Sequence, residues 1–162
     1  MHTELDLSDT PIGRLRLVEH DGMLTAVEFE PFAENDGRPR GPRDDDHPVL
    51  VEAARQLRAY VAGELTAFDL PLAPSGSDFQ LRVWEALRGV GYGETASYGE
   101  IAHRIGMTNA ASRAVGLANG RNPLPIVIPC HRVIGADGSL TGYAGGLSRK
   151  QFLLELEQDA LF

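Results

Sequence analysis

Apolar and polar positions alternate between Ile12 and Glu30. Leu15 and Leu17 interleave with Arg14 and Arg16, Val27 and Phe29 interleave with Glu28 and Glu30, and Asp21-Gly22 separates the two runs. Period-two alternation around an Asp-Gly pair predicts a β-hairpin over residues 12–30. The next stretch, Pro31 to His47, is rich in Pro, Gly, Asp and Arg and lacks periodicity, so a mobile loop is expected. Pro48 is placed to open a helix in which Leu50, Ala54, Leu57 and Val61 follow helical spacing, with Gly63 as its stop. A short strand near Thr66 to Leu70 is expected to close this unit, and Ala73-Pro74-Ser75-Gly76-Ser77 reads as a linker.

Helical periods dominate afterwards. Asp78 is placed to cap a helix carrying Phe79, Val83, Trp84 and Leu87 on one side. Ser97 with Glu100 predicts a capping box for a short helix through Ile101, Ala102 and Ile105, stopped by Gly106. After Met107-Thr108, Asn109 is placed to cap a second helix from Ala110 to about Asn119. Two short helices joined by a tight glycine-containing turn are the pattern of a helix-turn-helix, a weak signal by itself. The second helix is slender, built on Ala110, Ala111, Ser112, Ala114, Gly116 and Ala118. A helix with average side chains is about 10–12 Å across and the minor groove of DNA about 6 Å wide, so small residues would let a helix press into a widened groove. Tight packing against a core explains the same residues. Ile126-Val127-Ile128 predicts a buried strand ended by Pro129. Ser148 with Gln151 predicts a last capping box, and Phe152, Leu153 and Leu156 a buried stripe. The expected fold class is α/β in the α+β sense. A small N-terminal β-hairpin/α domain (residues 1–74) precedes a mostly helical C-terminal domain (residues 75–162) containing the helix-turn-helix.

Composition narrows the class. With 43% apolar and 23% charged residues the chain is of ordinary globular type. No apolar run approaches the roughly 18 residues of a membrane span, and the first residues lack a signal peptide's basic and apolar regions. The single cysteine, Cys130, excludes an internal disulfide and any multi-cysteine zinc site. A cytoplasmic protein without cofactor or metal is expected. A net charge of -8 argues against a simple DNA-coating protein, but residues 1–77 carry 15 acidic and 7 basic side chains whereas residues 78–162 carry 8 of each. Within the neutral half, Ile101 to Ala136 holds Arg104, Arg113, Arg121 and Arg132 and no acid. That distribution suits a local anion-binding face, although surface arginines also cluster by chance.

Candidate chemistry concentrates in Asn122 to Val133, NPLPIVIPCHRV. A thiol set directly after a proline-terminated strand can sit at the mouth of a cavity on a rigid support. A buried cysteine is by default an inert small hydrophobe. His131 beside it and Arg132 beyond it favour a reactive thiolate, because nearby positive charge lowers a thiol pKa. Neighbours in extended chain point to opposite sides, so Cys130 and His131 can cooperate only through a bend at Pro129 or an intervening water. Glu157 lies at the edge of the C-terminal apolar stripe, where a carboxylate needs a partner, and His131 would supply one; a helix-edge glutamate reaching solvent is the alternative. These residue types leave open a Cys–His hydrolase with repeated turnover, and a non-catalytic lesion-binding or transcription-regulating helix-turn-helix protein.

Pro129-Cys130-His131-Arg132-Val133 closely resembles the active-site signature of the O6-alkylguanine-DNA alkyltransferase (methylated-DNA--protein-cysteine methyltransferase) family. The resemblance runs from about Phe79 to Glu157, through FQLRVWEAL, YGETASYGEIA, SRAVG and NGRNPLPIVIPCHRV to GYAGGL. It covers about half the chain with the motifs in order; the first unit matches only loosely the acidic α/β domain of many members. The resemblance implies direct-reversal DNA repair, an irreversible, single-turnover transfer of the alkyl group of O6-alkylguanine to Cys130. It implies His131 as base through a water, Glu157 as the residue that holds His131, Asn122 as the hinge residue linking the helix-turn-helix to the active site, and Tyr98 as a contact to the target base that helps rotate its phosphate. Arg113 would fill the gap left by the flipped nucleotide, with Ala110, Ala114, Gly116, Arg121 and Arg132 as further DNA contacts. The implied partner is double-stranded DNA whose alkylated guanine is flipped out through the minor groove, because the O6 carbon is unreachable inside the stack. A monomer without membrane association is expected. Gly91 replaces a proline common before Tyr92, and Ala144 stands where some members have a serine near the alkylated oxygen. The zinc ligands of some members' first domain cannot be built from one cysteine, so no structural zinc is expected. Members that only bind lesions lack the acceptor cysteine, which Cys130 supplies here.

Overall fold

The structure, a computed structural model, describes residues 1–159. The chain divides into two compact units, Met1–Pro74 and Ser75–Phe162. In the first, the hairpin forms as β2 (Gly13–His20) and β3 (Met23–Phe29), turned by Asp21 at φ 51 and Gly22 at φ 78. Positive φ at both central residues is the turn that Asp-Gly favours, because its twist matches that of the strands. A further strand, β1 (His2–Leu7), absent from the elements expected above, pairs antiparallel with β2 and gives a three-stranded sheet ordered β1-β2-β3. Helix α1 (Pro48–Val61) packs on all three strands and buries Leu50, Ala53, Leu57 and Tyr60. Pro48 opens it, and Gly63 at φ 78 follows its end, as expected.

The segment from Pro31 to His47 forms no helix or strand, as expected of a loop, and charged side chains hold it to the sheet. Arg16 of β2 donates to Glu28 of β3, to Glu34 and to the Ala33 carbonyl, and its guanidinium lies 5.0 Å from the centre of the Phe32 ring. Arg40 reaches back to Glu28 and also holds Asp36. Side-chain charges, not a backbone ladder, carry these contacts, so no periodicity announces them. The expected strand at Thr66 to Leu70 does not form. Gln56 of α1 donates to the Asp69 carbonyl and accepts from the Asp69 N–H, each at 2.9 Å, so a buried side-chain amide replaces the strand partner. Backbone pairing begins only at Leu72, which bridges Leu24.

The second unit holds α2 (Asp78–Leu87), α3 (Tyr98–Arg104), α4 (Ser112–Gly120) and α5 (Leu147–Asp159), with a parallel pair formed by β4 (Ala96–Ser97) and β5 (Val133–Ile134). Ser77, not Asp78, caps α2: its hydroxyl accepts from the Gln80 N–H at 3.1 Å while the Gln80 side chain accepts from the Ser77 N–H at 3.0 Å. Val83, Trp84 and Leu87 are buried, and the Trp84 indole donates to the Ala118 carbonyl at 2.8 Å, tying α2 to α4. Ser97 caps α3, its hydroxyl accepting from the Glu100 N–H, so the expected capping box is made from one side only, and Gly106 at φ 81 turns the chain. Asn109 caps nothing. It begins a 3-10 turn (Asn109–Ala111), and α4 starts only at Ser112. Helix α5 begins ahead of Ser148, and Gln151 donates to Glu155 instead of closing a capping box. Its buried face is Lys150, Leu153 and Glu157, with Phe152 and Leu156 half-buried. No described helix is long and apolar enough to cross a membrane.

Candidate active site

The run Leu124 to Pro129 is buried, as its apolarity requires, but as a turn rather than the expected strand. The Ile128 N–H donates to the Leu124 carbonyl at 2.8 Å, and Ile126 sits at φ 74. A β-branched residue in the left-handed region is strained and persists only where its surroundings over-determine it. Asn122 does this. Its Oδ1 accepts from the Leu124 N–H and its Nδ2 donates to the Ile128 carbonyl, both at 2.9 Å, so one buried amide closes both ends of the turn.

Pro129, at φ -81 and ψ 63, then bends the chain so that Cys130–Arg132 form a turn of 3-10 helix. Successive side chains diverge there by about 120° rather than the 180° of a strand, which removes the geometric obstacle to cooperation between Cys130 and His131. His131 is fully buried, and its Nε2 lies 2.9 Å from Oε2 of Glu157 on α5. Arg132 grips the same carboxylate, Nε to Oε1 at 2.9 Å and Nη2 to Oε2 at 2.8 Å, while its Nη1 donates to the Val90 carbonyl at 2.7 Å. The expectation that Arg132 contacts DNA is therefore corrected: it is 7% exposed and committed to the interior. A buried carboxylate needs a full countercharge, which a bidentate guanidinium supplies and a neutral imidazole does not.

The electrostatics reverse another expectation. Burial pushes the Cys130 thiol up to about 11, against the opposing pull of the Asn122 hydrogen bond, the Lys150 charge and the Tyr143 hydroxyl. His131 and Arg132 are engaged with Glu157, and the cysteine is only 3% exposed, so the sulfur rests as a protonated thiol. Burial likewise holds His131 below its usual 6.5, outweighing its hydrogen bond to Glu157. A neutral imidazole that donates Nε2–H to Glu157 keeps Nδ1 as its basic nitrogen.

Two side chains that the sequence did not single out complete the centre. Lys150 on α5 is fully buried, and its ammonium donates to the carbonyls of Val133 and Thr141. Burial lowers its pKa, and the neighbouring Cys130 opposes that shift. Asn119 of α4, 3% exposed, donates to the Cys130 carbonyl at 3.3 Å. Nothing in Ser148-Arg149-Lys150-Gln151 distinguishes a buried lysine from a solvated one. For Asn119, a polar residue on the inner face of a helix was the available signal.

The remaining site candidates lie on α3 and α4. Tyr98 is half-buried, its hydroxyl hydrogen-bonded to the Thr141 hydroxyl. Gly116 is half-buried, and an added Cβ there would lie 3.6 Å from two carbons of the Tyr98 ring. Ala110, Arg113, Ala114 and Arg121 are exposed, while Ala111, Val115, Ala118 and Asn119 are buried. The fold thus brings Cys130, His131, Glu157 and Asn122 together, adds Arg132 and Lys150, and leaves Arg113 and Arg121 outside on α4 and at its end.

Comparison with known proteins extends the resemblance to both units. Residues 78–159 match the family described as 6-O-methylguanine DNA methyltransferase, DNA binding domain, and residues 5–74 match the ribonuclease-like domain of that methyltransferase. A methylated-DNA--protein-cysteine methyltransferase of Mycolicibacterium paratuberculosis is 55% identical over 155 residues, spanning 93% of this chain and 89% of its own. One of Methanosarcina acetivorans is 65% identical over 149 residues, spanning 92% and 94%. The crystal structure of Mycobacterium tuberculosis OGT in complex with DNA matches with a TM-score of 0.85 and 49% identity, covering 98% of this chain and 93% of that one. With both units matched and the thiol centre assembled at its signature, the chain belongs to the 6-O-methylguanine DNA methyltransferase family.

Proposed function

We infer that this protein repairs alkylated DNA by direct reversal, moving the alkyl group of O6-alkylguanine onto Cys130 in a reaction that each molecule performs once. The observation that carries the role of Cys130 is the buried chain of contacts beside it: His131 held by Glu157 at 2.9 Å, and Glu157 gripped in turn by Arg132.

The resting thiol is protonated, so attack requires a base at the moment of reaction. Neutral His131 takes the thiol proton through Nδ1, directly or through a water, as the sulfur bonds to the alkyl carbon. The carbon–O6 bond breaks, its electron pair stays on the guanine, and a hydrogen bond from Tyr98 steadies that oxygen until the base takes up a proton. Glu157 stabilises the imidazolium formed in between, and Arg132 keeps the carboxylate charged and in place. The product at Cys130 is a thioether, which has no easy leaving route, so the thiol is not regenerated. A hydrolase would regenerate it.

Burial of Cys130 demands that the target base leave the helical stack, since a paired guanine cannot reach an interior sulfur. In this reading α4 approaches the duplex from the minor groove, and Arg113 occupies the space vacated by the flipped nucleotide. The second unit carries both DNA binding and chemistry; the protein acts as a monomer in the cytoplasm, where a lone thiol stays reduced. The test is titration of a duplex oligonucleotide carrying O6-methylguanine, with restored guanine measured against protein. Restoration is expected to stop at one equivalent and to be absent in Cys130→Ala. Several equivalents restored, or activity in that variant, overturns the reading.

A further inference from the structure

The outer side of α4 carries a pattern that the slender-helix reading does not account for. The inner side is occupied by packing: Val115, Ala118 and Asn119 are buried, and the helix lies against α2 and α3. On the outside, Arg113, Leu117 and Arg121 follow one another at intervals of four residues, which places them along one ridge about 6 Å apart. Leu117 is 64% exposed, more than any other large hydrophobic side chain among the described residues. A single exposed leucine is commonplace on protein surfaces. This one projects from a helix otherwise faced with Ala and Gly, between two arginines, within a stretch from Ile101 to Ala136 that carries no acid.

We propose that Leu117 is an apolar wedge that props α4 in the minor groove of duplex DNA, with Arg113 and Arg121 on either side of it. The proposal rests on the DNA-repair reading above and adds a residue to it. An apolar tip with a cation beside it that stays outside the stack, Arg121, selects a partner that is anionic at its edges and apolar within, while Arg113 enters the stack as proposed above. A minor groove has that character, with phosphates along both rims and deoxyribose C–H groups on its walls. Leucine is among the side chains that minor-groove proteins insert to widen the groove and bend the duplex. A second copy of this chain fits less well, because one leucine offers little apolar area. The small residues then let the helix come close, and Leu117 keeps the groove open once it is there.

The test is the salt dependence of binding to a duplex oligonucleotide carrying O6-methylguanine. The wild type is compared with Leu117→Ala, Leu117→Met and Arg121→Ala, and each protein is also reacted with free O6-benzylguanine. Leu117→Ala is expected to bind the duplex about tenfold more weakly at an unchanged slope of log affinity against log salt. Its ratio of duplex repair to free-base reaction should fall by a similar factor, and Leu117→Met should restore most of both. Arg121→Ala is expected to lower the slope by about one. Equal or tighter duplex binding by Leu117→Ala overturns the proposal, as does an equal loss on duplex and free base. If the wild type itself ignores the duplex, the repair reading falls with it; if only Leu117→Ala is indifferent, the wedge alone falls.

Discussion

Arg132 holds Glu157 through two nitrogens, Nε at 2.9 Å from Oε1 and Nη2 at 2.8 Å from Oε2, with both residues buried. Since His131 Nε2 shares Oε2, the orientation of the imidazole beside Cys130 depends on an ion pair one residue further along the chain.

Removing the carboxylate charge should therefore damage structure and chemistry together. Glu157→Gln keeps the shape but leaves the Arg132 guanidinium buried without its counterion, a change that typically destabilises by about 3–5 kcal/mol. Urea denaturation should show a loss of that order. Alkyl transfer to free O6-benzylguanine should slow under conditions where the variant is still folded. Native stability and native rate in this variant would detach Glu157 from the centre.

The shifted groups predict a stability profile with two limbs. The folded pKa of Cys130 is raised from 9.0 to about 11, so its contribution is fully present below pH 9 and is lost as the pH rises through 11. Over that window the unfolded chain has released a proton that the folded one retains, worth about 3 kcal/mol at most. The folded pKa of His131 is depressed below 6.5, so its contribution is present above 6.5 and is lost as the pH falls, because the unfolded imidazole gains a proton first. Denaturation midpoints measured across pH should fall on both sides. Cys130→Ala should flatten the alkaline limb and leave the acidic one; an alkaline limb unchanged in that variant would contradict the buried protonated thiol.

How much of this the sequence announced depended on whether a contact leaves a local trace. Asp21-Gly22 between alternating runs announced β2 and β3, because turn and alternation lie within a few residues of each other. Strand β1 left too little trace, since Leu5 and Leu7 acquire meaning only when paired with Leu15 and Gly13. The apolarity of Ile126 to Ile128 announced burial correctly and conformation wrongly, because the Asn122 side chain supplies the hydrogen bonds that a strand neighbour would have made. Glu157 could be singled out as a charge beside an apolar stripe. Arg132 could not be told from the exposed arginines of the same stretch, because charge alone does not say which way a side chain turns.

Lys150 gives a separate prediction. Its ammonium joins the carbonyls of Val133 and Thr141 and is a favourable charge near the Cys130 sulfur. Lys150→Met keeps much of the volume and removes both effects. Hydrogen bonds from a charged donor contribute about 1.5–3 kcal/mol to stability, so urea denaturation should show a loss of that order, and alkyl transfer should slow because the sulfur loses a cation as it gains negative charge. The pH dependence should change as well, since the thiol loses a nearby cation. A variant with unchanged rate and pH profile would reduce Lys150 to a structural tie.

Repair should leave the protein less stable. Cys130 is 3% exposed, and its thiol is engaged by Asn122 and Tyr143. A methyl group on sulfur overfills this space, a change of about 1–3 kcal/mol. Calorimetry of methylated against unmodified protein should show Tm lowered by several degrees. An equal Tm would mean that the surroundings of Cys130 yield without strain.

The most direct measurement is peptide mass mapping after one equivalent of duplex DNA carrying O6-methylguanine. One methyl group should appear on the peptide containing Cys130 and nowhere else, with no further gain when more DNA is added. An unmodified Cys130 peptide alongside restored guanine, or a methyl group on another residue, would contradict the account.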